Sequence, residues 1–344
     1  MGVNFGMWVQ ALQRPVKFSE KEKWDSLDVV SKWLIATRGT VTQLTVYAGV
    51  IAGLLAWRQG HFAWLPWLVM TFGLYMAHSS ENLLNDYIDF TRGVDEDNYY
   101  RSQYGIHPLV HKFWTKQDWL RWFLVGGGLA TLSGLFILVY TSFSPVVISL
   151  FAIGALLILT YAYPLKYLGL GEISIFIIWG LLIIPGVYAI LAGAVTPDFR
   201  NVVLTGLAFG LGFGSFNWGK HIDKIPADRA KGVKSLPVRL GEPAARFVNI
   251  STLVLAYALI LYLVFGARFY TPLMLIVFLA GARAWRVINL LRQPRPTEAP
   301  PGFLLWPRWF STPQLLHMRL FGGLMILGIL ADTLLRIMAP GFWQ

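Results

Sequence analysis

A chain of 344 residues that is 56% hydrophobic and only 14% charged, with a mean hydropathy of +0.54, has too little polar side chain to cover a soluble surface, because soluble domains carry about 25% charged residues. Its net charge of +11 does not call for nucleic acid, since Lys and Arg collect in the cytoplasmic loops of membrane proteins. Cysteine is absent, which excludes disulfides, thiolate metal sites, iron–sulfur clusters and a cysteine nucleophile.

The chain opens with MGVNFGMWVQALQRPVKF, which lacks the basic head and clean apolar run of a signal peptide. SLDVVSKWLIATR follows, with capping-type residues at its start and apolar and basic residues mixed, the pattern of an interfacial helix leading into a membrane. Residues 1–39 are therefore expected to be a cytoplasmic N-terminal segment, and 40–338 a single transmembrane domain. Nine apolar stretches bounded by Gly, Pro and charge predict spans at 40–57, 63–84, 119–140, 145–163, 172–195, 201–218, 244–266, 270–291 and 318–338. The fold class is thus all-α, a membrane bundle of about nine helices, each about 20 residues long. With the N-terminus inside, 25 of the 29 Lys and Arg fall on the inner side, leaving only Arg58, Arg200, Arg268 and Arg336 outside, a bias that supports both count and orientation. The last inner segment, 292–317, holds six prolines, too many for a helix interior, and is expected to be an irregular surface segment.

Two inner segments, 82–118 and 217–243, mix acids with bases. The first contains NDYIDFTRGVD at 85–95. If the second span continues to about residue 92, Asn82, Asp86 and Asp89 stand at i, i+4 and i+7 on one helix face with Asn85 beside them. Gly93 then permits a turn that brings Asp95 back to the same face. Clustered carboxylates without thiolates suit a hard cation with oxygen ligands, Mg²⁺ above all, which bridges carboxylates to phosphate oxygens.

The second segment, NWGKHIDKIPADRAKGVKSLPVRLG at 217–241, again begins with an asparagine at the end of an apolar helix. Asp223 and Asp228 follow, with Lys220, Lys224, Arg229, Lys231 and Lys234 around them. Four spans separate the two segments, and an even number of crossings returns the chain to the same face. Two opposed acid clusters can each hold a cation, while the lysines and arginines complete the neutralisation of a diphosphate.

These paired motifs resemble those of the UbiA superfamily of membrane prenyltransferases. NDYIDFTRGVD is similar to the family's first aspartate-rich motif, and its GVD spacing is most like the 1,4-dihydroxy-2-naphthoate (menaquinone) branch. DRAKGVKSLPVRLG resembles the end of the second motif, YPLKYLGLGE at 163–172 resembles that branch's loop between the fourth and fifth spans, and WLIATRGT at 33–40 resembles its entry to the first. The resemblance covers about residues 30–290. It implies a helical bundle around a central cavity and Mg²⁺-dependent transfer of a polyprenyl group from its diphosphate to a small acceptor, most readily an aromatic one of quinone-precursor type. No obligatory protein partner is implied. By the same resemblance Asn82, Asn85, Asp86, Asp89 and Asp95 bind the first Mg²⁺ and the diphosphate, Asn217, Asp223 and Asp228 serve a second site, and Arg38, Lys166 and Lys234 contact the diphosphate. Two departures stand out. Lys220 and His221 occupy the places where the branch carries an arginine and an acid. Its two second-motif aspartates stand four apart, whereas Asp223 and Asp228 stand five apart with Pro226 between, which suggests an insertion. Either Asp223 or His221 then fills the place of the first acid, and Asp223 is favoured because histidine is a poor Mg²⁺ ligand.

The chemistry expected is departure of an allylic diphosphate whose charge is neutralised by Mg²⁺ and Lys or Arg, leaving a carbocation that aromatic faces stabilise. Tyr161, Tyr163, Trp179 and Phe216 are candidates for those faces. A carboxylate base for the acceptor falls to Asp95 or Asp228, and the sequence does not choose between them. The altered second motif also allows a second reading, a relative that binds prenyl lipid without turnover. A proton- or cation-coupled transporter is disfavoured, because the acids lie at span ends rather than mid-span.

Overall fold

The computed structural model describes residues 2–95, 100–193, 195–303, 305–339 and 341–343. Residues 96–99 of the first acidic loop therefore lie outside the described residues. The described chain is helical, and nine long helical segments carry the fold. They are α1 (Gly39–Arg58), α2 (Trp64–Thr91), α3 (Lys116–Tyr140), α4 (Pro145–Leu165), α5 (Gly171–Ala192), α6 (Phe199–Ala230), α7 (Glu242–Gly266), α8 (Pro272–Leu291) and α9 (Ser311–Met338). All but α2 are long and apolar enough to cross a membrane. The exception owes its polarity to Glu81, Asn82, Asn85, Asp86 and Asp89 in its second half.

Each predicted span has its helix, but three helices run well past the apolar stretch that predicted them. At 1.5 Å per residue the 28 residues of α2 reach about 42 Å and the 32 of α6 about 48 Å, against a hydrocarbon core of about 30 Å. The extra turns are the polar ones. The loop expected from residue 219 is instead helix as far as Ala230, with Pro226 inside it. The i, i+4 pair of Lys224 and Asp228 supports this extension. Its end is closed by the Val233 N–H donating 2.8 Å to the Asp228 carbonyl across Gly232, whose φ of +71° a residue with a Cβ would adopt only under strain. Likewise α9 begins at Ser311, inside the segment expected to be irregular, while residues 292–310 lack long helix.

Burial distinguishes the helices. The most apolar stretch of α6 is 83% buried and that of α1 67%, whereas α3 and α4 are 17% buried. Thus α1 and α6 are central, and α3 and α4 turn Leu124, Leu132, Val139, Leu156 and Leu159 outward, the apolar surface that lipid solvates without cost. Close backbone approach locks α6 against α5. A Cβ added at Gly206 would lie 2.7 Å from the Gly180 carbonyl oxygen, and one at Gly210 would collide with the Gly180 backbone. That contact aims Phe213, Phe216 and Asn217, one and two turns further along α6, at the end of the bundle where α2 finishes. The segment before α1 is folded against this end. Trp24 is fully buried against Phe113 and Trp114, and the helix Val29–Ala36 buries Trp33, Leu34 and Ile35.

Candidate active site

Where α1 begins and α2 and α6 end, two clefts meet. The smaller, about 420 Å³, is polar throughout and is lined by Asn85, Asp86, Asp89 and Asp95 from the first motif, Lys166, and Lys220, His221 and Lys224 from α6, with Arg38, Tyr100, Arg101 and Tyr104. The larger, about 890 Å³ counted to its open mouth, shares Arg38, Asn85, Arg101, Tyr104 and Lys220 with it. Its further walls include Leu34, Ile35, Val41, Tyr161, Phe213 and Phe216, and also His78, Glu81, Asn82 and Asn217.

Helix α2 positions the first motif as its spacing requires. Asn82, Asn85, Asp86 and Asp89 are all 5% exposed or less. The turn at Gly93, with φ +68° and the Val94 N–H bonded to the Asp89 carbonyl, returns Asp95 to the cleft. Arg38 reaches in from the start of α1, where its own φ of +62° marks a sharp change of chain direction. Its guanidinium donates 2.9 Å to Asn82 Oδ1 and pairs with Asp86, which Arg101 holds from the other side. Lys166 donates 2.5 and 2.6 Å to the two oxygens of Asp89. Asp95 accepts from His107 Nε2 at 3.0 Å. Burial pushes the Asp95 pKa up, but the bond from His107 and the surrounding positive charges outweigh it and hold the carboxyl below its usual range. Burial of the His107 ring outweighs the bond to Asp95 and lowers the pKa of the imidazole.

The donor set of Asp86, Asp89 and Asp95 is oxygen only and faces one cleft, which fits a hard divalent cation. Among the described residues no three acidic or histidine side chains close into a finished metal cage, because Arg38, Arg101, Lys166 and His107 already hold these oxygens. The guanidinium and ammonium groups among these are the ones that an anionic ligand could draw off the carboxylates.

The second motif is placed differently from expectation. On an unbroken helix, residues five apart are turned about 140° from each other, so Asp223 points away from the face of Asp228. Its Oδ1 accepts the Phe310 N–H and its Oδ2 the Ser311 N–H, both at 2.9 Å, and Tyr100 donates 3.3 Å to Oδ2. Asp223 thus secures the start of α9 and lines neither cleft. His221 does line the smaller cleft, paired with Glu172 of the GLGE loop, which also accepts the Leu236 N–H at 3.2 Å. The residue four before Asp228 is Lys224, with its ammonium 3.2 Å from Asp228 Oδ1. On the continuous helix it is thus an ammonium, not a second carboxylate, that stands one turn before Asp228. Asp228 sits behind Lys224 and off the clefts, while Arg229 and Lys234 are exposed and reach neither.

Of the expected residues, Arg38, Asn82, Asn85, Asp86, Asp89, Asp95, Lys166, Asn217 and Lys220 come together around the two clefts. Tyr161 and Phe216 do so as well. Trp179 stacks behind Phe213 at 3.6 Å, and Tyr163 lies outside under Arg92. Glu81 was passed over. It faces the larger cleft, and its Oε1 is buried without a hydrogen-bond partner among the described residues. Its signal was present, since an acid inside a predicted span is a functional candidate by default.

Comparison with known proteins identifies the family and the fold. The model of the UbiA prenyltransferase family matches residues 46–312. A 1,4-dihydroxy-2-naphthoate octaprenyltransferase of Escherichia coli (strain K12) is 29% identical over 221 residues, 62% of this chain and 70% of that one. Its counterpart in Bacillus subtilis (strain 168) is 25% identical over 250 residues, 70% of this chain and 71% of that one. Among solved structures, a UbiA homologue from Aeropyrum pernix K1 superposes with a TM-score of 0.60 at 17% identity, covering 86% of this chain and 98% of its own. A digeranylgeranylglyceryl phosphate synthase superposes with a TM-score of 0.54 at 18% identity, covering 88% and 98%. At these identities the two structures speak for the fold.

Proposed function

Because the chain belongs to the UbiA prenyltransferase family, and so is an integral membrane enzyme of prenyl transfer, we propose that it moves a polyprenyl group from its diphosphate to an aromatic acceptor of the dihydroxynaphthoate kind. The observation that carries this reading is the meeting of two unlike clefts, one wholly polar and one with apolar and aromatic walls, with Arg38, Asn85 and Lys220 at their junction. The naphthoate relatives support the acceptor class. In this reading residues 1–39 are a cytoplasmic segment folded on one transmembrane unit, 40–338, and both motif helices end on the cytoplasmic side, where the basic residues collect.

The diphosphate occupies the polar cleft, with Arg38, Arg101, Lys166, Lys220 and Lys224 as its cationic contacts. Asp86, Asp89 and Asp95 would hold Mg²⁺, which supplies charge stabilisation for the leaving diphosphate when bound. As the bond between the first prenyl carbon and the diphosphate oxygen breaks, the bonding pair leaves with the diphosphate, and these cations meet the developing charge in place. The allylic cation left behind faces Tyr161, Phe213 and Phe216, whose π faces stabilise it. Glu81 accepts a proton from an acceptor hydroxyl, which raises the electron density of the ring. A ring carbon then gives its electron pair to the allylic cation, forming the new C–C bond, and loses its carboxylate as CO2, the bonding pair of that carboxylate returning to the ring. Glu81 replaces Asp95 and Asp228 as the base, because Asp95 is held by His107 and Asp228 is off the clefts.

The test is an assay in detergent with labelled prenyl diphosphates, 1,4-dihydroxy-2-naphthoate and other acceptors, with and without EDTA. Prenylated naphthoate that requires both substrates and a divalent ion is expected. Prenylation of a glycerol-phosphate lipid in preference to every aromatic acceptor would overturn the acceptor class, and diphosphate release indifferent to EDTA would overturn the metal's role.

A further inference from the structure

The two sides of the polar cleft are opposite in sign. The α2 side presents Asp86, Asp89 and Asp95, whereas the α6 side presents Lys220, His221 and Lys224. No carboxylate of α6 lines the cleft. Both oxygens of Asp223 are committed to the backbone at Phe310 and Ser311, with Arg295 Nε a further 3.8 Å from Oδ1. Asp228 is 1% exposed and stands behind the Lys224 ammonium. Glu172 is occupied by His221 and by the Leu236 N–H. A divalent ion brought to the α6 side would therefore meet two ammonium groups and a histidine, and like charges at contact distance repel. Among the described residues, five cationic side chains line the cleft against three carboxylates.

Resting on the prenyl-transfer reading above, we infer that this chain binds its diphosphate with a single divalent cation, held on the α2 side. The ammonium groups of Lys220 and Lys224 take the place of the second cation that two opposed acid clusters would have held. The exchange is chemically sensible, because lysine is a compact point charge that binds phosphate oxygens directly. It also makes half of the neutralisation independent of metal concentration.

The decisive measurement is stoichiometry. Mn²⁺ is titrated into the purified protein in detergent in the presence of a non-cleavable geranyl bisphosphonate, with bound ion counted by electron paramagnetic resonance. One Mn²⁺ per chain with no Mn–Mn coupling is expected. Two coupled ions would overturn the inference and leave prenyl transfer standing, whereas none would overturn both the inference and the metal's part in the reaction. Lys224→Asp restores an acid four residues before Asp228, and a second Mn²⁺ is expected in that variant. With Mn²⁺ present, Lys220→Met should weaken binding of inorganic pyrophosphate by about tenfold or more, the scale of a charged hydrogen bond. Unchanged affinity in Lys220→Met and Lys224→Met alike would overturn the role given to the lysines, and the wild-type count stands whether or not a variant folds.

Discussion

Two clusters of buried charge lie at opposite ends of the bundle, and they are built on different terms. At the end far from the clefts the fully buried Asp332 accepts the Thr271 N–H at 2.6 Å on one oxygen, and Arg58 at 2.9 Å and Arg336 at 3.4 Å on the other. Arg58 also donates 2.9 Å to the Phe269 carbonyl and lies 3.8 Å over that residue's ring. Every charged group there has a partner among the described residues, and the partners come from α1, α9 and the segment before α8. The cluster at the clefts is open. Arg38 Nε, Glu81 Oε1 and Asn217 Nδ2 are buried without partners among the described residues, and all three side chains line the larger cleft. A saturated cluster has nothing left to offer a ligand and acts as a clamp, whereas an unsaturated one is a site.

The comparison is broken most directly by exchanging the expected phenotypes. Asp332→Ala leaves Arg58 buried with its charge uncompensated, which costs about 3–5 kcal/mol of stability. The melting temperature in detergent should fall sharply while turnover per folded molecule persists. A variant that melts like the wild type, or that is folded but inactive, would remove the distinction. Asp89→Asn should do the reverse. Turnover falls about 10²–10³-fold, the cost of losing one organised charge contact in a transition state, while the melting temperature falls by less than in Asp332→Ala because the amide oxygen still accepts from the buried Lys166. If added Mg²⁺ and pyrophosphate stabilise this variant as much as the wild type, Asp89 is not part of the binding site.

Glu81 tests the open end from the acceptor side. Glu81→Gln keeps the shape and removes the base, so kcat should fall about 10²-fold or more, with the KM for the prenyl diphosphate little changed. The acid limb of the pH–rate profile should vanish with it. An unaltered profile would assign acceptor activation elsewhere.

How much of this was legible beforehand depends on which physical signal each part used. The nine helices were written in apolar runs, and the first motif in its i, i+4, i+7 spacing, both local patterns. The length of α6 was not. Its last turns are polar and carry Pro226, so hydropathy ended the helix at 218 and left the five-residue gap between Asp223 and Asp228 in an apparent loop. With the helix continued, the same gap becomes a rotation that sends Asp223 to the backbone of Phe310 and brings Lys224 to the face of Asp228. The role of Asp223 could not be read locally, because its partners lie 87 and 88 residues away. Glu81 was readable in principle but stood one place outside the motif.

Asp28 separates saturation from location, since it is saturated like Asp332 but lies toward the cleft end of the molecule. Its oxygens accept the Trp8 indole N–H at 2.9 Å, the Asn4 N–H at 3.2 Å, and the Ser31 N–H and hydroxyl at 3.0 and 2.6 Å, which tie the first residues to the helix Val29–Ala36. Burial pushes its pKa up, but these four bonds outweigh it and hold the carboxyl well below the usual range. A depressed acid contributes stability above its unfolded pKa of about 3.9, and that contribution is lost as the pH falls below it. The wild type should therefore lose melting temperature between pH 5 and pH 3 by an increment that Asp28→Ala lacks, and at pH 7 the variant should melt a few degrees lower with prenyl transfer largely retained. Parallel melting curves would show that the bonds do not hold the charge. Loss of transfer out of proportion to the loss of folded protein would place Asp28 with the open cluster, and saturation would then no longer separate clamp from site.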